Sequence, residues 1–136
     1  MNFEGVIIEE SLKSLGALKK VKILQTKVEQ VTPKHKTPWL RQWTLHTVEI
    51  PEEKADSVAR EISDDLDYSH GSAWYADFKN ENVHYIIFQH KVFKIYRGIP
   101  EEYQAATDYG ISLGIPEYQV DFSPYIKKLK QLLPEN

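Results

Sequence analysis

Residues Trp74–Arg97 read WYADFKNENVHYIIFQHKVFKIYR. Ala73–Lys79, His84–Phe88 and Lys91–Arg97 are rich in aromatic and β-branched residues, the composition of strands. Asn80-Glu81-Asn82 supplies turn chemistry between the first two. Gln89-His90 is not a favoured two-residue turn, so the second hairpin is expected to be longer or bulged. If the first hairpin turns over Asn80–Val83, Lys79 lies opposite His84 and Asp77 opposite Ile86. Side chains alternate across a strand, which then fixes both faces. One face carries Trp74, Ala76, Phe78, Tyr85, Ile87 and Val92; the other carries Tyr75, Asp77, His84, Ile86, Phe88, Phe93 and Ile95. Both are largely apolar. Such a sheet needs covering on both sides, by helices on one and by further strands, a second copy, a protein partner or a small-molecule ligand on the other.

The flanking sequence supplies other elements. Phe3–Glu9, Val21–Val31 and Trp43–Ile50 read as strands, the second by its alternation of apolar and polar residues. Pro51-Glu52-Glu53 has the composition of a helix start. Ala55, Val58, Ala59, Ile62 and Leu66 follow at helical spacing. Pro100-Glu101-Glu102 repeats the device, and Tyr103, Ala106, Tyr109 and Leu113 make its stripe. Gly110 within that stripe implies either a break or a close neighbour. Ser123, Pro124, Ile126, Leu129, Leu132 and Leu133 predict a terminal helix over 123–134. The expected class is α+β: antiparallel strands in two three-stranded groups, or one sheet, packed with about three helices. One domain spans 1–136. Ile-Pro-Glu-Glu recurs at Ile50–Glu53 and Ile99–Glu102, which raises two pseudo-repeats, 1–67 and 68–114.

The chain has 136 residues and a formal charge of -3, a size that suits one ordinary domain. Residues 1–48 carry eight Lys/Arg against four Asp/Glu, whereas residues 49–136 carry nine against sixteen. This acidic balance argues against a general nucleic-acid binder. There are no cysteines, which excludes disulfides, thiol catalysis and cysteine–zinc sites. No apolar run approaches a membrane span, and the start MNFEGVIIEE lacks the plan of a signal peptide, so the expected location is the cytoplasm.

Asp77 and His84 fall on one face, one diagonal step apart, within reach of each other. A carboxylate that orients an imidazole is the kernel of many acid–base sites, and Tyr75 on the same face adds a phenol. Asp77, His84 and Tyr75 are therefore the catalytic candidates; the alternative is a structural pair in which Asp77 satisfies a buried histidine. The loop Lys34-His35-Lys36, with Trp39, Arg41 and Trp43, mixes bases and aromatic rings, a mixture that can hold phosphate and stack a base. Its plainer reading is a solvated loop with both tryptophans in the core. His35-Lys36-Thr37 and His70-Gly71-Ser72 both match the His-x-Thr/Ser tripeptide of two-histidine phosphoesterases. That chemistry needs both copies on neighbouring strands of one cleft, and here each lies in a turn-rich segment. The five histidines show no helical ligand spacing, so no metal is expected, and no cofactor motif is present.

The order Trp74-Tyr75-Ala76-Asp77-Phe78, His84–Phe88, Val92-Phe93-Lys94, Tyr109-Gly110 and Gly114–Phe122 resembles a set of small uncharacterised bacterial proteins. These carry a WYxDF strand, an aromatic hairpin and a Gly-Ile-Pro-Glu-x-Gln-x-Asp-aromatic segment. The resemblance implies a shared fold for Trp74–Phe122 and no particular activity. It draws attention to Gln119 and Asp121, which share a face if their segment is extended. Trp74, Tyr85, Gln119 and Asp121 are accordingly the ligand-binding candidates. Two functions are expected: a binding or interaction protein that uses the aromatic face of the second meander, as a homodimer or with another partner, or a small acid–base enzyme centred on Asp77 and His84.

Overall fold

The computed structural model describes residues 1–122. The helix expected over 123–134 lies outside the described residues. The strands are β1 (Phe3–Ile8), β2 (Lys22–Gln30), β3 (Gln42–Ile50), β4 (Ala76–Lys79), β5 (Val83–Phe88) and β6 (Lys91–Tyr96). All six join one antiparallel sheet in the order β2-β3-β1-β4-β5-β6.

The two expected three-stranded groups are thus one sheet. The join is β1, which pairs on both sides: Phe3 lies opposite Ile50 of β3, and Val6 opposite Asp77 of β4. Gly5 makes the join close. A Cβ there would stand 2.3 Å from the carbonyl oxygen of Asp77, so only glycine lets the two backbones pair.

The second meander keeps the register its turn residues predict. Lys79 pairs with His84, and Asp77 with Ile86. The Asn80 side-chain oxygen accepts from the amides of Asn82 and Val83, which fixes the turn. The β5–β6 turn corrects the expectation of a longer loop. Phe88 pairs with Lys91, leaving only Gln89 and His90 between them, with His90 left-handed at φ 58°. Tertiary bonds hold this unfavoured pair: Gln89 Nε2 donates to the Leu66 carbonyl at 2.9 Å, and the His90 amide to the Ser63 carbonyl at 3.2 Å.

Among the described residues there are two α-helices rather than about three, α1 (Ala55–Asp65) and α2 (Pro100–Ser112). Pro51 is extended (ψ 140°), so a 3-10 turn over Glu52–Lys54 precedes α1. Pro100 sits in the first turn of α2 itself. That helix runs through Gly110, where a Cβ would meet Val120 Cγ1 at 2.6 Å; the glycine serves close packing.

Each face of the meander has its own cover. Tyr85 and Ile87 join Phe3, Ile7 and Phe78 beneath Val58, Ala59 and Ile62 of α1. Ile86, Phe88 and Ile95 join Tyr103 and Ala106 of α2, with Ile115 and Val120. Burying each such aliphatic or aromatic side chain contributes about 1.5–3 kcal/mol. α2 and the segment after it thus bury Ile86, Phe88 and Ile95 within the chain, while Tyr96 of β6 stays 56% exposed. The opening lies beside this covered face. Val6 of β1, on the same face as Asp77, remains 43% exposed. No helix among the described residues is long and apolar enough to cross a membrane.

Candidate functional site

A cleft of about 640 Å³ opens over the middle of the sheet. Val6 and Ile8 of β1 and Asp77 of β4 line its floor. Lys34–Thr37, a 3-10 turn and its exit, form one wall; Leu113–Pro116 and Gln119, which follow α2, form another. Trp43, Trp74 and Tyr75 add aromatic surface. Cavities of roughly 300–1,000 Å³ suit small organic ligands.

Asp77 is the acidic group of this lining. Its side chain is 38% exposed, whereas that of His84 behind it is 4% exposed. His84 Nε2 lies 2.7 Å from Asp77 Oδ2, and His84 Nδ1 lies 3.0 Å from the Tyr103 hydroxyl. A carboxylate accepts only, so Nε2 carries a hydrogen; in the neutral ring Nδ1 then accepts from the Tyr103 O–H. The imidazole is thus buried, bonded at both nitrogens and closed to the cleft. Asp77 reaches the cleft, and its Oδ1 makes no hydrogen bond among the described residues. The pair inverts the usual order of an acid–base dyad: the histidine is buried behind, and the carboxylate faces the cleft.

Tyr75 lines the same cleft, but its hydroxyl donates to the Gln119 carbonyl at 2.7 Å. Burial, helped by the nearby Asp77 charge, pushes its phenol up to about 12. It fastens the 117–119 turn to the sheet rather than presenting a proton. Phe122 then packs edge-on against Tyr75, with ring centres 5.3 Å apart.

The other ligand-binding candidates divide. Trp74 and Gln119 line the cleft. Asp121 is half-buried and outside the lining. Tyr85 is a correction: alternation along β5 turns it to the α1 face, where its hydroxyl donates to Asp56. Lys94 stands over its ring, 5.6 Å from the centre. Burial, and then the bond to Asp56, pushes the Tyr85 phenol up to about 12, while that bond holds the Asp56 carboxyl below its usual range.

Two motifs from separate parts of the chain arrive at this cleft. Lys34, His35, Lys36 and Thr37 line it on one side, and Gly71 and Ser72 on another. The two His-x-Thr/Ser tripeptides therefore approach one cavity, yet on turns rather than strands. His35 Nδ1 accepts from the Thr32 amide at 3.0 Å, and its ring meets Trp43 edge-on at 4.4 Å. His70 lies flat against Trp39, with ring centres 4.6 Å apart. Both rings are committed to local packing. Trp43 Nε1 donates to Thr37 Oγ1 at 3.0 Å, and Trp43 and Trp74 sit 5.3 Å apart.

The Lys34–Lys36 loop and Asp77 lie about forty residues apart in the sequence. Nothing in the spacing signals that they meet. A second groove of about 690 Å³, lined by Lys19, Lys20, Lys22 and Lys54 among others, contains no aromatic ring and none of the candidate site residues. Among the described residues no three of His, Asp and Glu converge as a metal ion would need. The chain matches no protein-family model, no curated protein and no solved structure.

Proposed function

We propose that this chain is a binding protein for a small organic ligand, with the cleft over β1 and β4 as its site and Asp77 as the anchoring acceptor. The observation that carries this reading is the buried His84, which holds Oδ2 of the partly exposed, cleft-lining Asp77 at 2.7 Å. A carboxylate fixed from behind loses little side-chain freedom on binding, so more of each new hydrogen bond appears as affinity. Aromatic walls and a few placed polar groups are the usual make-up of such sites.

Thermal unfolding of the full chain against a panel of small aromatic and polar metabolites tests the reading. A ligand at 100 times its Kd adds about 2.7 kcal/mol of stability. The expected result is a compound that raises the melting temperature of the wild type and not of Asp77→Asn. A panel that shifts neither protein, or both equally, would count against the site.

Acid–base catalysis is the second reading, favoured by the Asp77–His84–Tyr103 chain of hydrogen bonds. In it Asp77 takes the proton and His84 acts as a positioning residue. Turnover of the bound compound by the wild type, lost in Asp77→Asn with binding retained, would move the assignment from binding to catalysis.

A further inference from the structure

We infer that the ligand of this cleft is a mononucleotide, an inference that rests on the binding reading above and adds the ligand's chemical class. The cleft offers three unlike surfaces. Asp77 presents a partly exposed carboxylate, whose Oδ2 is held by His84 and whose Oδ1 bonds to no described residue. Trp43, Trp74 and Tyr75 present aromatic surface. Lys34 and Lys36 are exposed cations on one wall, and neither forms an ion pair with a described residue. Lys36 takes a left-handed backbone at φ 58°, a conformation uncommon for a side chain of its size, and it closes the 33–35 turn at the cleft wall.

A ligand that satisfies all three carries hydrogen-bond donors at one end, a flat ring and an anion at the other. Asp77 stands on β4 at the floor of the cleft, and the lysines belong to the 33–37 turn that forms one of its walls. A nucleotide carries its base edge and its phosphate at opposite ends of a ribose. Aromatic rings with basic side chains are a recurrent means of holding a base and its phosphate. Guanine places two N–H donors side by side on one edge, and a carboxylate accepts both, so guanosine monophosphate fits best.

The test is a titration of tryptophan emission on the full chain, since Trp43 and Trp74 are two of its three tryptophans. The probes are guanosine, adenosine and cytidine monophosphates, guanosine itself and inorganic phosphate. Guanosine monophosphate is expected to bind tightest. Lys34→Ala combined with Lys36→Ala should weaken the monophosphates about tenfold or more while leaving guanosine unchanged. Asp77→Asn should weaken guanosine and its monophosphate alike. The lysine variants alter an exposed loop, so they keep the test decisive even if Asp77→Asn folds poorly. No response to any nucleotide at millimolar concentration overturns the inference, as does a response that the lysine substitutions leave intact. If nucleotides fail while another compound stabilises the chain through Asp77, the ligand class is wrong and the cleft reading stands. If no compound acts through Asp77, both fall.

Discussion

His84 is the residue whose environment most constrains the chemistry of the cleft. It is 3% exposed and spends both ring nitrogens on protein partners. Removing one partner leaves a buried nitrogen without a hydrogen bond, which costs about 1–3 kcal/mol. Tyr103→Phe should therefore lower stability by roughly 1–3 kcal/mol in urea unfolding. Asp77→Asn should cost less, because its amide oxygen still accepts from Nε2 and its exposed edge stays solvated. Equal losses from the two substitutions would show that Tyr103 and Asp77 do not differ in this way. Gly5 makes a second prediction at this scale. A methyl group there collides with backbone at 2.3 Å, and backbone cannot rotate aside. Gly5→Ala should lower the melting temperature, with a cost of about 1–3 kcal/mol or more typical of overpacking. A wild-type melt would show that β1 and β4 can separate at no cost.

At the level of elements, the meander was the most legible part of the chain. Asn80–Asn82 sets the turn, the turn sets the register, and alternation then sends Tyr85 and Ile87 to one face and Ile86 and Phe88 to the other. Tyr85 packs against α1 away from the cleft, whereas Trp74, just before β4, reaches it. Less legible was β1. Six residues, FEGVII, carry no mark of which strands they join, and the single sheet depends on that choice. The His90 turn was hidden for another reason: its supports, Leu66 and Ser63, lie more than twenty residues away.

The tie between Tyr75 and the 117–119 turn has a pH signature. Burial raises the Tyr75 phenol to about 12 from an ordinary value of 10.0, and Tyr85 moves likewise. Between these values the unfolded chain loses protons that the folded chain keeps, so stability is full below pH 10 and falls as pH rises toward 12. Tyr75→Phe should reduce that slope in urea unfolding followed across the alkaline range. An unchanged slope would mean that Tyr75 ionises equally in both states.

At the scale of the whole molecule, the cleft follows from width. Six strands at roughly 4.8 Å span more than 20 Å, whereas a helix with its side chains is about 10–12 Å across. Among the described residues, one helix on the Asp77 face covers β5 and β6 and leaves β1 open beside it. The walls come from the turn at 33–37 and the stretch 113–119, far apart in sequence and brought together only by the sheet. Local patterns carry no such information, so the individual residues could be picked out and their meeting could not. α2 and the segment after it cover Ile86, Phe88 and Ile95 of the meander within the chain. Ile95, 1% exposed in that cluster, should unfold the protein when changed to Asp, as read by circular dichroism. A folded Ile95→Asp chain that merely lost self-association would instead favour an interface there.

An amide chemical-shift map of the full chain, recorded with and without bound guanosine monophosphate, bears on all of this at once. The expected changes gather at residues 34–37, 71–77 and 113–119, on the floor and walls of one cleft. Changes confined to the lysine groove around residues 19–22 and 54, or absent near Asp77, would contradict the assignment of the site.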